Sequence, residues 1–138
     1  MRSLLALTLV LICLSCLTGC PESQTTVILD NRTPFEVDVE LYYDENQNIL
    51  EDLIDDLGTR MTFTLAANET QTFSLPCEDL QAIRITDADM NILLGVGPEA
   101  ETGLYHEPDD FTCGDTLTFT FTADQLGTDL DISFSQQE

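Results

Sequence analysis

Side-chain oxygens at alternate positions are what a hard cation asks of a chain, and this sequence offers two such runs. In Asp44-Glu45-Asn46-Gln47-Asn48, the oxygens of Asp44, Asn46 and Asn48 recur as they do at the start of a calcium loop. Counted from Asp44, the ninth and twelfth places hold Asp52 and Asp55. The sixth place is Ile49, where such a loop needs Gly, and the twelfth is Asp rather than a bidentate Glu. Asp87-Ala88-Asp89-Met90-Asn91 repeats the spacing, with Met90 where Gly would ease the turn. The plainer reading of each run is a polar hairpin turn. The chemistry they could support is weak, exposed Ca²⁺ binding through Asp44, Asn46, Asn48, Asp87 and Asp89. No other cofactor is expected.

Catalytic groups are sparse. There is no G-x-S-x-G and no H-E-x-x-H. The single imidazole, His106, lies in the acidic run Tyr105-His106-Glu107-Pro108-Asp109-Asp110 and reads as a solvated loop residue. Beyond the first nineteen residues, a Ser-His-Asp arrangement would have to join it to Ser23, Ser74, Ser133 or Ser135. With 26 Asp and Glu, any two carboxylates could be paired for glycoside hydrolysis, so that pattern has no specificity. No catalytic residue is assigned. Thr116, Thr118, Thr120 and Thr122 alternate with apolar residues; they could form a flat binding face, but β-propensity on a solvated strand explains them more simply.

Charge narrows the partners. Four Lys+Arg against 26 Asp+Glu give a net charge of −22 over 138 residues, and no residue is Lys. A phosphate backbone is held by Lys and Arg, so nucleic acid is excluded, as is electrostatic binding to an anionic lipid surface. The acidity reads as solubility and protection of strand edges, or as adaptation to a salty medium in which repulsion is screened.

Arg2 is the only charge before Glu22, and residues 4–14 are almost wholly apolar, too short a core to span a bilayer. Leu17-Thr18-Gly19-Cys20 then follows, an aliphatic residue, two small residues and Cys. This N-terminus resembles that of a bacterial lipoprotein. The resemblance covers about twenty residues and implies a signal peptide over 1–19 and diacylglyceryl, then acyl, groups on Cys20. Two or three chains at about 0.8 kcal/mol per buried methylene would anchor the protein to a membrane of the cell envelope. Cys13 and Cys16 would leave with the signal. Cys77 and Cys113 remain as an even pair in an exported chain, and a disulfide is expected. A metal-thiolate site or a reactive thiol lacks any C-x-x-C spacing to support it.

The elements that must position these residues are mostly strands. Residues 20–26 read as a lipidated tether and 27–138 as one domain. Phe35, Val37, Val39, Leu41 and Tyr43 alternate with Glu36, Asp38 and Glu40, a half-buried strand with an acidic outer face. The period returns at Met61-Phe63-Leu65, Phe73-Leu75, Ile83-Ile85, Ile92-Leu94-Val96, Leu117-Phe119-Phe121 and Leu130-Ile132-Phe134, after a first strand at Val27-Ile28-Leu29. Turn signals fall at 30–34, 67–69, 87–89 and 126–128. Ile49, Leu50, Leu53, Ile54 and Leu57 have helical spacing, with Asn48 and Glu51 as a capping box and Gly58 at the close. That predicts an all-β, immunoglobulin-like antiparallel sandwich of about eight strands with one short helix over about 49–57. The expected role is non-enzymatic: a lipid-anchored envelope domain that binds an unidentified protein or glycan, or serves structurally. A calcium-modulated ligand- or glycan-binding module is the alternative, and a carboxylate-dependent hydrolase the third class.

Overall fold

The computed structural model describes residues 23–92 and 96–138. Among them the chain forms β1 (Gln24–Asn31), β2 (Glu36–Asp44), the helix α1 (Glu51–Leu57), β3 (Thr59–Leu65), β4 (Thr70–Pro76), β5 (Ala82–Asn91), β6 (Glu99–Ala100), β7 (Tyr105–His106), β8 (Thr116–Ala123) and β9 (Leu130–Gln137). Two sheets face each other. One has the order β4-β1-β8-β9; the other has the order β3-β2-β5-β6, with β7 also paired to β5. The fold is the expected all-β sandwich with one helix.

Alternation drives it. Val37, Val39 and Leu41 from one sheet meet Val27, Leu29, Leu117, Phe119 and Phe121 from the other in a single core. Aromatic pairs bridge the sheets near both lateral edges. Phe63 stacks on Phe73 at 5.0 Å where β3 overlies β4, and Tyr105 stacks on Phe134 at 3.9 Å where β7 overlies β9.

Four expectations change. The sandwich is not wholly antiparallel: β1 pairs antiparallel with β4 but parallel with β8. The first strand begins at Gln24, so Gln24–Thr26 belong to the sheet rather than to a tether. Asp87-Ala88-Asp89 is no turn but the interior of β5. Here Thr86 is an extra residue, because Leu41 pairs with Ile85 and Glu40 with Asp87. This bulge switches the alternation. Ile83 and Ile85 face inward before it, and Ala88 and Met90 after it. An unbroken period would have buried Asp87 and Asp89. Of the strand expected at Ile92-Leu94-Val96, Ile92 lies past the end of β5, Leu94 lies outside the described residues, and Val96 is exposed.

The helix also differs in detail. It starts at Glu51 with Leu50 at the N-cap and no side-chain cap, so Asn48 does not cap it. Gly58 closes it, donating its N–H to Ile54 O. Only part of its apolar set packs down: Ile49 and Ile54 join Ala82, Tyr42 and Leu104 in a small second core on the outer face of the β2–β5 sheet. Buried Arg84 fastens this region. Its Nε donates to Thr102 O at 3.0 Å, its Nη1 to Glu51 O at 3.3 Å, and its Nη2 meets Glu101 at 2.9 Å.

Candidate functional site

The half of that outer face left uncovered by α1 is acidic, and register explains how. Even-numbered residues of β2 and β3 point outward, and the Thr86 bulge gives Asp87 and Asp89 the same sense. Thr62, Glu40 and Asp87 therefore form one cross-strand row, and Thr64, Asp38, Asp89 and Glu99 the next. Like charges directly opposite each other destabilise a sheet. Some of that repulsion is offset locally. Arg60 pairs with Glu40, and Asp38 accepts from Thr64 Oγ1 at 2.6 Å and Asn91 Nδ2 at 2.8 Å.

Asp87, Asp89 and Glu99 are the densest point. Each can offer one carboxylate oxygen such that all three lie within 4.8 Å of one another. Burial pushes the Asp87 carboxyl above its ordinary value, and the neighbouring charges of Asp89, Glu99 and Glu40 push it further. A shallow hollow beside them is lined by Asp38, Glu40, Arg60, Thr62, Asp87 and Asp89. Such a set of hard oxygens suits a divalent cation with water completing its shell.

Glu99 escaped sequence reasoning because its pairing with Asp89 crosses a loop. The local signal is Gly97-Pro98. A Cβ on Gly97 would sit 1.6 Å from Met90 O, so only Gly lets the returning chain lie this close to β5. Pro98 O then accepts from Met90 N at 3.1 Å, which sets Glu99 opposite Asp89.

The other sequence candidates are placed apart. Asp44, Asn46 and Asn48 are linked along the chain: Asp44 Oδ1 accepts from Asn46 N at 2.8 Å, and Asn46 Oδ1 from Asn48 N at 3.0 Å. They form successive turns rather than a converging set. His106 is half-buried in β7, not a solvated loop residue, and its Nδ1 is buried without a partner among the described residues. Thr116, Thr118 and Thr120 lie on the outer face of the other sheet, beside Thr26, Ile28 and Asp30. Cys77 and Cys113 form a disulfide with Cα atoms 5.4 Å apart, so neither supplies a thiolate. Cys20 lies outside the described residues.

No protein-family model matches this sequence. No curated protein matches it. Solved structures are similar in fold. The NMR structure of a protein from Eubacterium rectale has a TM-score of 0.54 at 15% identity, over 87% of this chain and 98% of that one. The T6SS lipoprotein TssJ1 from Pseudomonas aeruginosa has a TM-score of 0.45 at 11% identity, over 86% and 100%. The cytotoxin suilysin from Streptococcus suis has a TM-score of 0.46 at 9% identity, over 83% of this chain and 23% of that one. The first likeness supports the sandwich as a shared architecture, and architecture alone does not carry function.

Proposed function

We propose that this chain is a bacterial envelope lipoprotein, anchored through lipid on Cys20, whose sandwich is a non-enzymatic binding or structural domain. One observation supports the reading most. Ser23, three residues after Cys20, is already fastened to the sandwich. Cys77 N donates to Ser23 O at 3.0 Å, and Gly114 N donates to Thr25 Oγ1 at 3.2 Å, on either side of the Cys77–Cys113 bridge. The chain from Cys20 to Ser23 spans at most about 10 Å at 3.3–3.6 Å per residue, so the lipid would hold this end of the sandwich at the membrane surface. Cys20→Ala should release the protein from the membrane fraction or block its maturation. Normal processing with unchanged detergent-dependent partitioning would overturn the reading.

The convergence of Asp87, Asp89 and Glu99 favours a second reading, a calcium-modulated module. At matched ionic strength CaCl₂ should then raise the melting temperature more than NaCl. The excess follows RT ln(1 + [L]/Kd), about 2.7 kcal/mol at a hundredfold excess over Kd. Asp89→Asn should remove the excess, and Asp44→Asn should leave it. Equal stabilisation by the two salts would exclude this reading without touching the first.

A further inference from the structure

The helix buries Ile54 fully yet leaves three leucines in water: Leu50 is 65% exposed, Leu53 41% and Leu57 68%. At 3.6 residues per turn they fall within about 60° of one another, a continuous apolar stripe beside the packed edge of α1. Single exposed leucines are ordinary, but an aligned set marks a contact surface. The stripe has an acidic border. Glu51, Asp52, Asp55 and Asp56 are exposed on the rest of the helix, and the last turn has no basic residue. Asp55 and Asp56 thus stand at the negative end of the helix dipole, where a cation is favoured. Leu57 also lines a hollow with Tyr43, Asp44, Glu45, Thr59 and Asp79, which sets three more carboxylates against the stripe.

We propose that this face docks a protein partner presenting an apolar patch bordered by Lys or Arg, the patch on Leu50, Leu53 and Leu57 and a cationic side chain in the hollow. The inference deepens the binding-domain reading and rests on it, but it does not depend on the lipid anchor. Charge complementarity selects this occupant. A second copy would bring another chain of net charge −22 against the same acids. An interfacial membrane helix is rich in Lys and Arg on its polar face, and α1 has none.

The test uses the full chain expressed in its own cell, with photoreactive benzoylphenylalanine in place of Leu53. The expected product is an adduct with one protein, mapped by mass spectrometry to a segment where Lys or Arg flanks apolar residues. Its yield should drop about fivefold or more in an Asp44→Asn/Asp79→Asn background and on Leu50→Ser/Leu57→Ser. Circular dichroism and the intact Cys77–Cys113 bridge check that each variant is folded. Adducts with phospholipid only, with a second copy only, with no protein, or indifferent to the Asn substitutions would overturn the proposal. Cys20→Ala is fractionated in parallel: its failure to leave the membrane would refute the anchor alone, and a normal release without any Leu53 adduct would refute the docking alone.

Discussion

Asp89 stands directly opposite Asp38 where β5 pairs with β2, so two carboxylates occupy facing positions on one sheet surface. Their surroundings differ. Asp38 is held by donors from Thr64 and Asn91, whereas Asp89 is grouped with Asp87 and Glu99. The cost of the crowding therefore falls on the β5 side, where burial first, and then the charges of Asp89, Glu99 and Glu40, drive Asp87 toward its protonated form.

Asp87→Asn should stabilise the protein at neutral pH and low salt, by a few tenths to about 1 kcal/mol for relief of the cross-strand repulsion. The sign follows from linkage. A carboxyl whose folded pKa is raised favours folding when protonated, and that contribution is lost as pH rises through the raised value. The advantage of the variant over the natural chain should therefore shrink as pH falls toward 3.8, the ordinary value of the group. Thermal melts from pH 7 to pH 4 in low salt measure it; an advantage that grows on acidification contradicts the mechanism.

Deleting Thr86 should be tolerated. It is the extra residue of the bulge, and without it Ile85 inward, Asp87 outward, Ala88 inward and Asp89 outward form a regular ladder against Leu41, Glu40, Val39 and Asp38. The expected change is within about 1 kcal/mol in denaturant unfolding, as for a surface alteration. Deleting Ala88 instead breaks the alternation beyond the bulge and directs an Asp into the core, and that variant should not fold.

Asn31 links the β1–β2 turn to the β3–β4 turn and is 1% exposed. Its Nδ2 donates to Phe35 O at 2.8 Å, Ala66 O at 2.9 Å and Leu65 O at 3.2 Å, and its Oδ1 accepts from Thr33 N at 2.9 Å. Asn31→Ala would leave several of these backbone groups unpaired, at a cost of about 2–4 kcal/mol. Urea unfolding with an unchanged m-value checks it; a cost under about 1 kcal/mol would mean that water replaces the side chain.

Replacing Cys77 and Cys113 by Ser should cost about 4 kcal/mol by loop-closure entropy for a separation of 36 residues. The loss should centre on the end of the sandwich where Ser23, Thr25 and Gly114 meet the bridge. Hydrogen exchange on β1 amides would show faster opening at Thr26 than at Leu29, and uniform protection along the strand would argue against a local clamp.

Some of this was legible in the sequence and some could not be. β2 reads without ambiguity because one of its faces is buried and the other wet, so the period of two survives from Val37 to Leu41. β5 does not, because its bulge changes parity in mid-strand and Asp87-Ala88-Asp89 mimics a turn. Glu99 was invisible as a neighbour of Asp89 because strand pairing is set by the long-range fold. The helix was legible as a helix, but Leu50 and Leu57 share the spacing of Ile54, and spacing alone does not say which of them the sheet will cover. Both cysteines of the bridge were found from type and compartment, without geometry.

β1 is the strand nearest the N-terminal chain, and it is an inner strand, held by antiparallel β4 on one side and parallel β8 on the other. Tension delivered through the residues before Ser23 would run along its axis. The antiparallel ladder bonds lie perpendicular to that axis and the parallel ones are slanted to it. Both rows are therefore loaded in shear, many bonds at a time, instead of being peeled one after another from an edge. A sandwich pulled by this strand is built as a lap joint, and it should bear a pull there far better than one applied through β9, the edge strand at its C-terminal end.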